Sequence, residues 1–139
     1  HRLYIMDSFG EMGSLFSLAD LVILGGSFMP KGGHNPLEPA AFGLPIITGP
    51  HIFKNSTEFA GLRDVGVVFD VAETDDGPDA TITGQKLAKL VNTIANDKPA
   101  RRRIASAAKA YAVAANKRSH IAARKIVLGT MKQPFKTNR

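Results

Sequence analysis

Four short runs of apolar residues are spaced along the first half of the chain. They are rich in β-branched residues and almost continuously apolar, a pattern typical of parallel strands covered on both faces. We therefore predict four strands, at Leu3–Met6, Leu21–Leu24, Ile46–Thr48 and Val67–Phe69.

Helical patterns fit between these runs. The alternation of strands and helices predicts an α/β fold with a doubly wound parallel sheet and right-handed crossovers. Nucleotide-binding domains of this kind commonly have about six strands. We therefore expect a partial Rossmann-like sheet whose remaining strands precede His1, with one edge that needs a cover. The predicted helices are Met12–Ala19, with Leu15, Phe16 and Ala19 on one side, Leu37–Phe42, which stops at Gly43, and Thr57–Leu62.

The second half of the chain predicts helices. The acidic stretch Glu73–Thr83 is expected to form an exposed loop, with Thr83 capping the helix that follows. In that helix the apolar residues recur at i, i+3, i+4 and i+7, which predicts one buried side. The stripe consists of Leu87, Leu90, Val91 and Ile94.

An alanine-rich helix is predicted next, with Asp97 as its N-cap and Pro99 in its first turn. A separate last helix is predicted from about 119 to 128, with Gly129 as its stop, and the residues after Gln133 are expected to fray. The buried stripe of the alanine-rich helix is predicted to be Ile104, Ala108, Tyr111, Ala112 and Ala115.

Composition narrows the class of protein. Of the 139 residues, 44% are hydrophobic and none is cysteine, which excludes disulfides, a thiolate nucleophile and cysteine-ligated zinc. No apolar run approaches the roughly 18 residues that span a bilayer. The chain starts without a methionine and almost directly in a strand-like run, so we expect a fragment of a longer protein.

The charge is divided unevenly along the chain. Residues 1–97 carry 6 Lys and Arg against all 12 Asp and Glu, whereas residues 98–139 carry 12 Lys and Arg and no acid. Such a segment suits nucleic acid, anionic lipid, an acidic surface of the parent protein, or simply a solvated helical face. Stacking on nucleic acid is poorly supported because this segment has only Tyr111 and Phe135 as aromatic platforms.

The glycine-rich segment 25–39 is the strongest candidate for chemistry. It joins a predicted strand to a predicted helix, and a loop of this kind can bind phosphate through backbone N–H groups and the helix start. Gly32 and Gly33 would permit positive φ and a close approach of the ligand. Because ligands lie beyond the carboxyl ends of parallel strands, the loops at 7–12 and 48–51 are expected to meet it there.

Polar residues of this segment each have a structural and a functional interpretation. Asn35 can cap the helix, and Glu38 can complete a capping box with it. Alternatively, Glu38 accepts hydrogen bonds from two neighbouring ribose hydroxyls. His34 can donate to a phosphate, act as an acid or pack within the loop. The four histidines are scattered without metal-ligand spacing, so no metal site is expected.

Two segments resemble a known family. The run GGSFMPKGGHNPLEPAAFGLPIITGPH resembles the signature of the 3-deoxy-D-manno-octulosonic acid (Kdo) transferases, and DSFGEMGSLFSLADLVILGGS resembles the segment before it. The spacing of Glu11 and Glu38 also agrees. The resemblance is specific from about Tyr4 to His51 and looser to Val71. One departure from the family lies a few residues after His51, where the family usually has Asn-Phe and this chain has Phe53-Lys54-Asn55. Either Lys54 replaces that asparagine, or Asn55 takes its place with a shift in position.

The resemblance implies a glycosyltransferase of the GT-B type, inverting and independent of metals and cofactors. Residues 1–131 would form the last part of its C-terminal donor-binding domain, with closing helices at about 84–129 and a disordered tail at 132–139. The donor would be CMP-Kdo and the acceptor a lipid A precursor at the cytoplasmic face of the bacterial inner membrane. The basic C-terminal third would favour that anionic surface, and nucleic acid would not be a partner.

The family's nucleotide contacts can be carried over residue by residue, and with the glycine loop they give one predicted site. The family's base is a glutamate of the N-terminal domain, so no catalytic residue is assigned here and the chain alone is expected to be inactive. The alternatives are a non-catalytic nucleotide-sugar binding module and, less favoured, a basic nucleic-acid-binding domain. The predicted nucleotide-binding residues are Phe9, Gly10, Glu11, Gly33, Asn35, Pro36, Leu37 and Glu38.

Overall fold

The computed structural model describes residues 3, 5–8, 10–71 and 80–131. Their helices and strands alternate through the first half of the chain, and two helices follow. In chain order the elements are α1 (Met12–Leu18), β1 (Val22–Ile23), α2 (Leu37–Phe42), β2 (Ile46–Thr48), a 3₁₀ turn (Phe53–Asn55), α3 (Ser56–Asp64), β3 (Val68–Asp70), α4 (Ala80–Asn96) and α5 (Lys98–Met131).

The three strands form a parallel sheet in the order β1-β2-β3. Successive residues of a strand point to opposite faces, and Ile46 and Ile47 of the central strand are both completely buried. Ile46 lies in a core with Phe59 of α3 and Ala108 of α5. Ile47 lies in a second core against α4. Helices therefore cover both faces, which confirms the predicted α/β architecture.

The apolar stripes of the last two helices are confirmed. In α4, Ile94 is buried and Leu87, Leu90 and Val91 pack around it. Asp97 caps α5, because its Oδ1 accepts a 2.8 Å hydrogen bond from the Ala100 N–H. The small residues of the α5 stripe are buried, and Ile104 and Tyr111 pack against them. The buried members are Ala108, Ala112 and Ala115.

Helix α5 packs closely against α2. Gly43 ends α2 in the left-handed conformation at φ +83°, and a side chain there would meet Ala105 Cβ at 3.2 Å and Lys109 Cε at 2.9 Å. The predicted stop of α2 is therefore confirmed, and the same glycine lets α5 approach. The position of α2, and of the site residues that precede and begin it, is set by this contact.

Four sequence predictions are wrong. The described residues of the run Leu3–Met6 are not in a strand, and Leu3 and Ile5 are 88% and 77% exposed, because apolar character alone does not form a strand without a neighbour to pair with. Thr83 lies inside α4 and does not precede it. Gly129 lies inside α5, and no separate helix begins near residue 119. A single glycine costs a helix only about 1 kcal/mol relative to alanine, so α5 continues through it.

Candidate functional site

The loops that leave β1 and β2 meet at the carboxyl edge of the sheet. We call residues 24–36 and 49–52 the rim. The two loops are joined directly, because the His51 N–H donates a 2.9 Å hydrogen bond to the Ser27 carbonyl. The expected convergence of the loops after the second and third predicted strands is therefore confirmed.

Ser27 holds the rim together from inside. Its side chain is completely buried, donates to the Leu24 carbonyl at 2.6 Å and accepts from the Gly49 N–H at 3.0 Å. Gly49 passes so close that a side chain there would lie 2.5 Å from the Ser27 carbonyl oxygen. Neither role is predicted from the sequence, because a small polar residue directly after an apolar run and two glycines marks Ser27 but does not identify Gly49 as its partner.

The glycine-rich loop folds back on itself. The Gly33 N–H donates to the Gly26 carbonyl at 3.0 Å and the His34 N–H to the Gly25 carbonyl at 3.4 Å. Gly32 and Gly33 have φ of +93° and +73°, as predicted. The His34 ring lies close to Gly25 and Gly26, because its Cδ2 would be 3.4 Å from a side chain at Gly26. His34 is also exposed.

The 3₁₀ turn after β2 supports the outer side of this loop. The Lys54 N–H donates to the Gly32 carbonyl at 3.2 Å, and the Asn55 side-chain amide reaches the Gly33 carbonyl at 3.5 Å. The Lys54 stem lies over Gly32, so that a side chain at Gly32 would meet its Cγ at 2.6 Å. Of the two residues left open by the sequence, Asn55 is therefore the one whose side-chain amide contacts the glycine loop, whereas Lys54 contacts it through its backbone N–H.

The residues that begin α2 have distinct surroundings. Asn35 accepts a 3.0 Å hydrogen bond from the Leu37 N–H through Oδ1. The N-cap of α2 is Pro36, so Asn35 binds the start of the helix from one residue before the N-cap position that was predicted for it. Pro36 is buried and Leu37 is half-buried against the core. Glu38 is exposed and does not form the capping-box bond to the Asn35 amide. Its carboxylate has no partner in the described part of the chain.

A cavity of about 350 Å³ opens between the rim, α1 and β1. Glu38, Asn35 and His34 supply its polar groups, and its apolar wall comes from α1 and β1. This arrangement offers a carboxylate acceptor beside an apolar wall, which suits a ligand with hydroxyl groups and a ring. The remaining residues around the cavity are Met12, Phe16, Val22, Ile23, Leu24 and Gly25.

The segment before α1 brings the other predicted residues near this cavity. Gly10 has φ +89°, and Glu11 lies directly before Met12, which lines the cavity. The Glu11 carboxylate accepts a hydrogen bond from the Ser8 hydroxyl and does not itself line the cavity. Phe9 lies outside the described residues. The structure thus brings Asn35 and Glu38 together and places Glu11 at the margin.

Two other features bear on metal binding and on nucleic-acid binding. Among the described residues no group of three or more His, Asp or Glu side chains is arranged to hold a metal ion. Tyr111 is half-buried, with its hydroxyl against Gly61 and the Arg118 guanidinium 5.4 Å from its ring centre. A ring engaged in this way is not an open platform for a nucleic-acid base.

A parallel sheet covered by helices on both faces, with its site at the carboxyl ends of the strands, defines a Rossmann-like α/β domain. A comparison with protein-family profiles finds no match. Among curated proteins, the 3-deoxy-D-manno-octulosonic acid transferase of Haemophilus influenzae is 38% identical over 106 residues, 76% of this chain and 23% of that protein. The Rickettsia bellii enzyme of the same name is 56% identical over 54 residues, 39% of this chain and 13% of that protein.

A solved structure gives the same indication. The C-terminal CMP-Kdo binding domain of WaaA from Acinetobacter baumannii matches with a TM-score of 0.53 and 27% identity, over 76% of this chain and 50% of that one. The chain belongs to the Kdo transferase family, and its fold matches the C-terminal domain of a GT-B glycosyltransferase. It spans less than a quarter of the length of the curated relatives above.

The close approach of Gly49 to Ser27 leads to a testable prediction. We expect Gly49→Ala to destabilise the fold by about 2 kcal/mol or more, because the added methyl group would overlap backbone atoms that cannot swing away. Urea unfolding followed by circular dichroism measures this. The matched control is Gly84→Ala in α4, where a side chain meets nothing within 4 Å, and helix propensity predicts a gain of up to about 1 kcal/mol. Equal stability of the two variants would contradict the close approach.

Proposed function

We propose that this chain binds the donor CMP-Kdo as part of a Kdo transferase that transfers Kdo to a lipid A precursor. The observation that carries the proposal is the unpartnered Glu38 carboxylate beside Asn35 and His34 in the cavity at the carboxyl edge. The similarity to the C-terminal CMP-Kdo binding domain of WaaA from Acinetobacter baumannii supports the choice of nucleotide. Residues 1–131 would form this part of the domain, and 132–139 a tail.

The proposed roles follow from charge. Glu38 accepts hydrogen bonds from the two ribose hydroxyls, which are neutral donors and suit a carboxylate. The phosphate of CMP is anionic, so it lies away from Glu38 and towards the glycine loop and the exposed His34 ring. The apolar wall from Met12 and Phe16 packs against the remaining surface of the nucleotide. The other predicted contacts, Phe9, Gly10, Glu11, Gly33, Pro36 and Leu37, surround this placement.

The reaction explains what such a site must do. As Kdo leaves CMP, the bond between the sugar's anomeric carbon and the phosphate oxygen breaks and negative charge grows on the phosphate. Preorganised N–H groups beside the phosphate stabilise that charge. The acceptor hydroxyl attacks the same carbon and gives its proton to a general base. In our proposal the base comes from the N-terminal domain of the parent enzyme, as the family resemblance implies.

Substitution of Glu38 tests the ribose contact. We expect Glu38→Gln to weaken CMP binding by about 2 kcal/mol, roughly thirtyfold, because charge-assisted hydrogen bonds are lost. Calorimetry gives the affinity, and NMR titration with CMP, CMP-Kdo and UMP gives the base preference and the residues contacted. The matched control is Glu58→Gln, since Glu58 lies in the first turn of α3, away from the cavity. Unchanged CMP affinity in the Glu38 variant would remove this residue from the site.

The proposal that the N-terminal domain of the parent enzyme supplies the base leads to a second prediction. Incubated with CMP-Kdo and a lipid A precursor, this chain alone is expected to form no product, because it lacks the base that deprotonates the acceptor. A turnover assay read by mass spectrometry checks this, with the full-length Haemophilus relative as the positive control. Product formed by the isolated chain would refute that proposal.

The basic C-terminal third supports a membrane-facing role for the parent enzyme. Residues 98–131 form one helix without an acidic residue, and each basic residue near anionic lipid contributes about 1 kcal/mol of attraction. No helix in the described part of the chain is long and apolar enough to cross a bilayer. In the proposal, the parent works at the cytoplasmic face of the inner membrane, where the lipid A precursor is the acceptor.

Vesicle binding tests this attraction. We expect co-sedimentation of the chain to rise with the anionic lipid content of the vesicles and to fall with added salt, because the interaction is electrostatic and screened. Neutral phosphatidylcholine vesicles serve as the control. Binding that did not depend on anionic lipid would contradict the proposed role of the basic segment.

A further inference from the structure

A second cavity lies at the opposite edge of the sheet, where the chain enters β1 and β2. Its volume is about 350 Å³. Ala19 and Asp20 bound it ahead of β1, the segment 42–45 bounds it ahead of β2, and the first turns of α5 close it. The two ends of a parallel strand lie at opposite edges of its sheet, and this cavity shares no lining residue with the one at the rim.

This cavity carries an excess of positive charge. Lys98, Arg101 and Arg102 line it, and Asp20 is the one carboxylate among its lining residues, which leaves a net charge of +2. The side chains of Lys98 and Arg102 have no ionic or hydrogen-bonding partner in the described part of the chain. The two cations are therefore available to a ligand.

Arg101 is held in place by the protein itself. One of its terminal nitrogens donates to the Ala95 carbonyl, and the other lies 3.5 Å from the Asp20 carboxylate. Its side chain is 21% exposed, whereas that of Asp20 is 75% exposed. A guanidinium fixed in this way loses little rotamer freedom on binding an anion, while the Asp20 carboxylate is largely screened by water.

We propose that this cavity binds a phosphate group in its dianionic form. The net charge of +2 balances a dianion, and the arginine side chains offer paired N–H donors that match phosphate oxygens. The same chemistry is presented by inorganic phosphate, by soluble phosphate monoesters and by a phosphomonoester lipid headgroup. The inference is independent of the nucleotide site, since it rests on residues at the other edge of the sheet.

The test compares three substitutions that remove one positive charge each from α5. Lys98→Gln and Arg102→Gln change residues that line the cavity, whereas Arg103→Gln changes an exposed neighbour that does not line it. Inorganic phosphate is titrated into the 139-residue chain and each variant at low salt, and NMR follows the Gly43, Lys98 and Arg102 amides. We expect saturable binding that weakens about fivefold in each cavity variant and less than about twofold in Arg103→Gln.

A second arm distinguishes the source of the phosphate. Vesicles containing phosphatidic acid, a phosphomonoester, are compared with phosphatidylglycerol vesicles of equal surface charge. Preference for phosphatidic acid that is lost in Lys98→Gln and Arg102→Gln supports a lipid headgroup, and binding of inorganic phosphate without that preference supports a soluble ligand. The proposal is overturned if neither probe binds, or if Arg103→Gln weakens binding as much as the cavity variants do.

Discussion

The hydrogen bonds of Ser27 make two separate loops into one rigid edge. Its hydroxyl is shared between the Leu24 carbonyl and the Gly49 N–H, and its carbonyl accepts from His51. Each such bond contributes only about 1 kcal/mol, but leaving a buried donor or acceptor unpaired costs about 1–3 kcal/mol. Among the described residues no buried side-chain polar atom lacks a partner. The rim is thus specified mainly by the cost of breaking this arrangement.

Helix α5 also helps to position the carboxyl edge of the sheet, because it packs against α2. α5 packs small side chains, Ala105 and Ala108 among them, against α2 and the core. Because Gly43 has no side chain, the two helices approach closely enough to fix α2 in position. The turn of α2 that carries Glu38 is therefore held by the α5 contact, and the residue before it, Asn35, is held by its bond to the Leu37 N–H. A six-residue helix would be marginal without such packing.

Local pattern was enough to predict two short elements. β2 and α2 have the predicted bounds, Ile46–Thr48 and Leu37–Phe42. β2 is completely buried and leaves a continuous apolar signal, whereas α2 is only partly buried and is marked by the glycine that stops it. The prediction failed where the outcome depends on something beyond the segment. The run Leu3–Met6 has the composition of a strand, but a strand also requires a neighbour. Gly129 resembles a helix stop, but its cost is small beside the rest of a 34-residue helix.

In the candidate site too, the residues of one short segment could be predicted from the sequence, whereas contacts between distant segments could not. Asn35 and Glu38 were predicted from their place where the glycine-rich loop meets the helix and from the family resemblance, and the structure places both at the same cavity. The contribution of Ser27 could not be predicted, because its partner Gly49 is 22 residues away and neither residue type identifies the other. Asn55 is a similar case, since its contact with Gly33 also spans 22 residues. Contacts of this length become visible only when the order of the strands is known.

The two edges of the sheet differ in charge, and that difference constrains what each can bind. At the carboxyl edge, Glu38 would repel a phosphate at 4 Å by about 1 kcal/mol in water and by about 4 kcal/mol at the effective dielectric of a protein surface. In the proposed site, a nucleotide would therefore be oriented with its neutral hydroxyls towards Glu38 and its phosphate towards the glycine loop. At the other edge, Lys98, Arg101 and Arg102 reverse the preference and favour the phosphate itself. If both proposals hold, one small sheet separates a site that orients an anion by repulsion from a site that binds one by attraction.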